Sequence, residues 1–443
     1  MAEADWVRHA VWWQVYPLGF TGAWPADRPG PAHRLRRLES WLDYAVELGA
    51  SGLMLGPIFA AETHGYDTVD YFRIDPRLGD QGDFDALIAA AHDRGLRVLL
   101  DGVFNHVGRG HPAFQAVLEQ GPSAPTASWF RLTWPAGEWR PGIEPAYESF
   151  EGHDALVALN HREPAVIEHV SEVMRHWLGR GADGWRLDAA YAVPVTFWSQ
   201  VLPQVRGAHP SAWIFGEVIH GDYVDFVTRS TVDSVTQYEL WKAIWSALNS
   251  ANFFELSWAL ERHNTFLGTF VPQTFLGNHD VTRIASKLTD ERDVPLALAL
   301  LCLLGGTPSI YYGDEQAFRG EKEDRAGGDD AVRPEFPEKP DELAPYGWPT
   351  YRLHQDLIGL RRRHAWLHSA RSTVRHLTNE QLTCEMSDGA NRLLLALNVA
   401  GTAAEVPVPL GHTILHGSGE LTGGGGSEAR VRLEPHSCVV LAI

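Results

Sequence analysis

Eight short apolar runs, interleaved with helical patterns, fix what this chain can become. They read VWWQVYPL (11–18), SGLMLGPIF (51–59), RVLLDGVFNH (97–106), DGWRLDAA (183–190), WIFGEV (213–218), VDSVTQY (232–238), QTFLGNHD (273–280) and PSIYYGDE (308–315). Each is strand-length and bounded by turn residues. Between them lie amphipathic stretches such as RLRRLESWLDYAVELG, DFDALIAAAHDRG and AVIEHVSEVMRHWLGR, and the apolar VPLALALLCLL. Strands joined through helices pair in parallel, and eight such units close on themselves. The expected class is α/β, a (β/α)₈ TIM barrel.

Two interruptions and a change of pattern set the organisation. Residues 107–160 separate the third strand from the next helix and are rich in Pro, Gly and Trp. An ordered domain rarely holds so long a bare loop, so the segment reads as an inserted B subdomain. A second irregular stretch, 317–349, follows the eighth strand and would lie over the same end of the barrel. After Arg363 come STVRHLT, QLTCEMS, RLLLALNVA, AEVPVPL, ARVRLEP and SCVVLAI, the short strands of an antiparallel β-sandwich domain. Gly423 to Gly426 read as a flexible turn, because no helix start follows them as a phosphate loop requires. The expected division is 1–106 and 161–366 for the barrel, 107–160 for the insertion and 367–443 for the C-terminal domain.

Composition removes several function classes. A formal charge of -19 opposes nucleic acid or anionic lipid as a partner. The longest apolar run, Leu296 to Leu304, is too short to span a bilayer. The opening residues lack the basic start and apolar core of a secretory signal, which points to the cytoplasm. Three cysteines, Cys302, Cys384 and Cys438, suggest neither a disulfide framework nor a zinc site. The 17 tryptophans suit sugar rings, though most such residues fill cores.

The polar residues inside these runs carry the chemistry. Asp101, Asn105 and His106 fall at the end of the third strand, Arg186 and Asp188 at the fourth, Glu217 at the fifth, and His279 and Asp280 at the seventh. Barrel active sites assemble from those ends, so residues scattered in sequence converge. Arg186 and Asp188 lie two apart and share a strand face. A buried ion pair brings little net stability, which favours a functional reading. Metal binding would want a His-rich ligand set, which the runs lack. Glycosidic cleavage wants one carboxylate as nucleophile and one protonated carboxyl as acid. Arg186 would keep Asp188 ionised, the apolar WIFGEV context would keep a proton on Glu217, and Asp280 would favour the oxocarbenium-like ring.

DGVFNH, GWRLDAA, FGEV and FLGNHD, in this order, resemble the four hallmark regions of the α-amylase family, glycoside hydrolase family 13. GLMLGPIF, HGYDTVDY and GGTPSIYYGDE are similar to its accessory regions. The resemblance implies Asp188 as nucleophile, Glu217 as general acid/base and Asp280 as transition-state stabiliser, with retention through a covalent intermediate. It further implies that Arg186 orients the nucleophile, Asp101 buttresses the site, His106 and His279 hydrogen-bond the sugar in subsite -1, and Tyr66 stacks on it. Asp67 and Arg333 resemble an Asp/Arg pair that closes that subsite in exo-acting relatives. Asn105 matches a calcium-ligand position, while no cofactor and no catalytic metal are implied.

Within the family, HGYDTVDYFRIDPRLGD, YESF, LVALN and NHREPAV are similar to the neopullulanase, cyclomaltodextrinase and maltogenic amylase branch. Leu156 to Asn160 keep only the final Leu-Asn of that branch's MPKLN, and the chain begins almost directly at strand one, where the branch carries an N-terminal β domain. The implied partner is an α-glucan or maltooligosaccharide, hydrolysed at α-1,4 and also α-1,6 bonds. The same residues serve a transglycosylase when a sugar hydroxyl replaces water. Non-catalytic relatives share the fold without activity. Oligomeric state is left open.

Overall fold

The apolar runs become strands only in their first few residues. The computed structural model describes residues 4–25, 33–325, 327–410, 412–422 and 429–443. Barrel strands one to eight span Trp12–Val15, Gly52–Leu55, Arg97–Gly102, Gly184–Leu187, Trp213–Gly216, Ser234–Val235, Gln273–Phe275 and Thr307–Tyr311. The remainder of each run leaves the sheet as a loop, and those loops hold Asn105, Asp188, Glu217 and Asp280. Strands one to six neighbour one another in sequence, strand one also pairs with strand eight, and strand eight with strand seven, all in parallel. A parallel bridge between Thr236 and Gln273 closes the ring, with the Gln237 N–H donating to the Gln273 carbonyl at 2.8 Å.

Helices cover the outside, and two of them depart from expectation for visible reasons. The 34–49 pattern divides into a 3₁₀ helix, Arg34–Trp41, and an α-helix, Leu42–Leu48. Leu35, Leu38 and Trp41, all fully buried, recur every three residues, which is the 3₁₀ period rather than the α period. The all-apolar helix Val294–Leu303 is buried along its length because it lies between the barrel and the C-terminal sheet. Among the described residues, no helix is long and apolar enough to cross a membrane.

Between strand three and helix Pro164–Gly179 stand a helix, Pro112–Gln120, and an antiparallel sheet of His106–Gly108, Ser149–Phe150 and His153–Ala158. The C-terminal part is a five-stranded antiparallel sheet facing a three-stranded one, with Leu394, Val406, Val431, Val439 and Leu441 packed between them. Two strands beyond the six expected are present, Thr413–Gly417 and Glu420–Thr422. TILHG pairs on one side only, at an edge, where no buried face forces an apolar alternation. The Gly423 to Gly426 turn lies outside the described residues. The three cysteines are free and buried.

Buried imidazoles make this fold acid-sensitive. Burial pushes His106, His111, His161, His263 and His354 down to about 4 and His279 to about 3. Burial also pushes Asp101 and Asp314 up to about 6, Glu315 up to about 7 and Asp188 well above its usual range. As pH falls from 6.5 to 4, unfolding exposes six imidazoles that take up protons the native state refuses, against four carboxyls that release protons it holds. Net uptake on unfolding means stability is lost on acidification through this window. The expected result is a melting temperature that declines steadily from pH 6.5 to 4.5 at constant ionic strength; a level or rising one would show that these imidazoles are not buried neutral.

Candidate active site

A cavity of about 420 Å³ opens at the C-terminal end of the barrel, with Asp188, Glu217 and Asp280 in its wall. Its floor is organised by Arg186, only 3% exposed, whose position on strand four is in register with Asp101 on strand three. Strand alternation turns both side chains into the barrel. One guanidinium nitrogen of Arg186 reaches both Asp101 oxygens at 2.7 Å and Asp188 Oδ1 at 3.2 Å, while the other reaches Glu217 Oε1 at 2.9 Å. Sharing one planar fork favours the close carboxyl spacing of a retaining route, roughly 5 Å, over the wider gap that admits a water.

The turn that ends strand four serves both acids. Ala189 adopts a left-handed conformation (φ 43°), which swings the chain out of the sheet directly after Asp188. Its N–H then donates to Glu217 Oε2 at 3.0 Å. Tyr238 donates its hydroxyl to Glu217 Oε1 at 3.1 Å and accepts from the Asn278 amide at 2.9 Å. Glu217 is therefore surrounded by donors, not by the apolar environment expected from WIFGEV. The donors come from strand four, the turn after it and the segment after strand six, which a local reading of that run does not contain. Burial, with Glu217, Asp101 and Asp280 nearby, drives the Asp188 carboxyl upward against the attraction of Arg186. The substrate-free cluster thus retains a proton.

Asp280 is set apart electrostatically. Burial opposes its charge, but His279, Arg333, Arg186 and Lys322 together pull its carboxyl well below the usual range. Arg333 donates to Asp280 Oδ1 at 2.9 Å and His279 Nε2 lies 3.0 Å from Oδ2. The Gln14 amide faces His279 Nδ1 at 3.3 Å, which assigns the ring proton to Nε2. The Tyr16 and Tyr66 rings lie parallel to that imidazole, within 2°, with centroids 6.0 and 5.3 Å away. Tyr66 also hydrogen-bonds His279 Nε2 and donates to Asp101 Oδ2 at 3.1 Å, linking the two halves of the site.

The residues singled out in the sequence separate into layers. Asp188, Glu217, Asp280, Tyr66, His106 and Arg333 line the cavity, whereas Arg186, Asp101 and His279 stand behind it and hold the acids. Arg186 is thus buried, not exposed at the strand end. Both His106 nitrogens are engaged, Nδ1 with the Asn105 amide at 3.2 Å and Nε2 with the Tyr66 carbonyl at 2.9 Å. The expected Asp67–Arg333 pair is not formed among the described residues. Asp67 Oδ2 accepts from the Thr63 hydroxyl, while Arg333 pairs with Asp280 and with Asp329, four residues earlier, at 3.0 Å. The 3₁₀ turn Asp330–Val332 delivers Asp329 to Arg333, and the turn at Thr63 holds Asp67 back.

Several participants were not anticipated. Gln14 and Asn278 are polar residues within apolar runs, the same signal that exposes Arg186. Tyr238, Asp329, Lys322, Glu151 and Tyr191 carry no such mark. Trp129 packs against His169 at 4.9 Å and not against the cavity.

A barrel that gathers three carboxyls from strands four, five and seven around one sugar-sized cavity, two of them on a single guanidinium, defines a glycoside hydrolase. The chain belongs to the α-amylase family, a family of retaining enzymes: residues 14–348 match its model, described as the alpha amylase catalytic domain. A cyclomaltodextrinase of Geobacillus thermopakistaniensis is 30% identical over 430 residues, covering 92% of this chain and 71% of the relative. An intracellular maltogenic amylase of Bacillus subtilis is 29% identical over 343 residues, covering 72% and 57%. The cyclic α-maltosyl-(1→6)-maltose hydrolase of Arthrobacter globiformis, solved with cyclic α-maltosyl-(1→6)-maltose, superposes with a TM-score of 0.84 at 26% identity, covering both chains in full.

Arg186→Lys tests the fork. Lysine keeps the charge but cannot hold three carboxyls in one plane, so kcat on an aryl α-glucoside should fall by about 10²–10³ while the melting temperature changes little. Wild-type kcat in this variant would show that the charge alone suffices.

Proposed function

We propose that this enzyme hydrolyses α-1,4-glucosidic bonds, and α-1,6 bonds also, in short maltooligosaccharides by double displacement. With the cluster's proton carried by Glu217 and Asp188 ionised, Asp188 attacks the anomeric carbon while Glu217 protonates the departing oxygen. The glycosyl-enzyme ester is then broken by a water that Glu217, now a carboxylate, deprotonates. Asp280, held ionised, pairs with sugar hydroxyls and with the positive charge that grows on the ring. Arg186 and Asp101 hold the two acting acids, Tyr66 and His106 line the sugar's seat, and His279 supports Asp280 from behind.

The observation that carries this reading is the single buried guanidinium bonded to both Asp188 and Glu217 beside one cavity. The relatives' names, a cyclomaltodextrinase and a hydrolase of a (1→6)-linked cyclic maltoside, support the substrate class and the second linkage. The intracellular relative supports a cytoplasmic enzyme.

Family members need no organic cofactor, and the steps above draw on carboxyl groups and water alone. Asn105 spends its amide on His106. Among the described residues, the His/Cys/Asp/Glu cluster with ligand spacing is His33, Asp80 and Asp83, where Asp83 is already paired with Arg36. The Asn105–His106 bond uses the amide nitrogen and does not engage Oδ1, the atom of Asn105 a calcium ion would take, and no step is routed through a metal.

Glu217→Gln should lower kcat by about 10²–10⁴ while maltotriose binding persists in calorimetry. With the wild-type enzyme, proton NMR of the first turnovers should show the α-anomer. Unchanged turnover in the variant, or β-anomer as first product, would overturn the assignment.

A further inference from the structure

Glu151 occupies a position its backbone does not favour. With Gly152 it forms the two-residue turn between Ser149–Phe150 and His153–Ala158, both residues having positive φ (50° and 80°) and Phe150 pairing with His153. Such turns prefer Asn, Asp or Gly in the first place, since a longer side chain gains nothing there. Glu151 instead accepts the Tyr191 hydroxyl at Oε1, 2.9 Å away, in an exposed hydrogen bond. Both residues line the cavity, one from the insertion and one from the 3₁₀ turn Ala190–Ala192 that follows strand four.

The side of the cavity on which they meet follows from the chemistry. Glu217 has to reach the leaving oxygen, so the sugar beyond the cleaved bond lies on its side. Tyr191 is tied to that side: its N–H donates to the Glu217 carbonyl at 3.3 Å, and its ring meets His220 edge-on at 5.7 Å. Ile219, two residues past Glu217 and 43% exposed, lines the same wall. Asp280, Arg333, Asp329 and Lys322 make up a separate, charged wall.

Building on the hydrolase reading above, we propose that the Tyr191–Glu151 hydrogen bond closes the leaving-group side of the cleft and selects short maltooligosaccharides over polymeric glucan. The insertion and the strand-four loop would otherwise leave a gap through which a long chain could run. The bridge ends the groove there, and the Tyr191 ring with Ile219 offers apolar contact to the face of a leaving sugar.

The test compares kcat/KM for soluble amylose with that for maltotriose in the wild type, Glu151→Ala, Tyr191→Phe, the double variant and Glu151→Gln, each with its thermal unfolding recorded. The amylose-to-maltotriose ratio should rise about tenfold in either single variant and no further in the double, the signature of two residues acting through one bond. Glu151→Gln, whose amide oxygen still accepts from Tyr191, should stay near wild type. An unchanged ratio, additive shifts, or a glutamine variant that behaves like alanine would each overturn the inference. Hydrolysis of neither substrate by the wild type would sink the hydrolase reading itself, whereas hydrolysis with an unmoved ratio would sink this inference alone.

Discussion

One guanidinium inside the barrel faces more negative charge than it can neutralise, and the site depends on that imbalance. Arg186 contacts Asp101, Asp188 and Glu217, and all four residues are buried. Three ionised carboxyls there would leave two uncompensated charges in a low-dielectric interior, so the cluster keeps a proton. A reaction that begins by protonating a leaving oxygen needs such a proton near neutral pH. The cost falls on stability, because a buried ion cluster rarely stabilises a fold against an apolar alternative. Its register on strands three and four nevertheless makes it rigid, and rigidity is what preorganised charge requires.

Asp280 meets the opposite requirement with a different cation. In the proposed reaction it has to remain ionised as positive charge grows on the sugar ring, and the cations around it, Arg333 among them, favour that state. The imidazole between these two centres is neutral, since burial holds His279 at about 3. A charged imidazole would compete with the developing oxocarbenium charge for Asp280. The Gln14 amide at Nδ1 and the Tyr66 hydroxyl at Nε2 fix the tilt of His279, which leaves Nε2 3.0 Å from Asp280 Oδ2.

The barrel and the carboxyls gathered at its cavity were legible because each leaves a local mark: strand-length apolar runs for the strands, and charges that interrupt such runs for Arg186 and the acids. The eight runs, the insertion, the loop after strand eight and the C-terminal sheets were all visible in this way. What was not legible depends on partners far away in sequence. The donors around Glu217 come from Ala189, Tyr238 and Arg186, so its own hexapeptide says nothing of them. Arg333 selects Asp329 over Asp67 because of how two turns are folded, and neither turn has a periodic signature. The 3₁₀ helix at 34–41 is marked in the sequence by the three-residue spacing of Leu35, Leu38 and Trp41.

Chemistry and selectivity are built on different kinds of structure in this chain. Asp188 and Glu217 follow directly on barrel strands, and Asp280 lies in the loop that leaves strand seven after Phe275. Much of the cavity wall comes instead from the two irregular segments: Phe150, Glu151 and His153 from the insertion, and Lys322, Asp329 and Arg333 from the loop after strand eight. The insertion is anchored to the barrel at its roots, through His106 to the Tyr66 carbonyl and through the Leu159 N–H to the Asn105 carbonyl at 3.0 Å. Its tip is held by Tyr191. Substitutions at the tip can therefore reshape what enters the cleft without moving the guanidinium fork beneath it, because the two are connected through a barrel rim that is already fixed by its own hydrogen bonds.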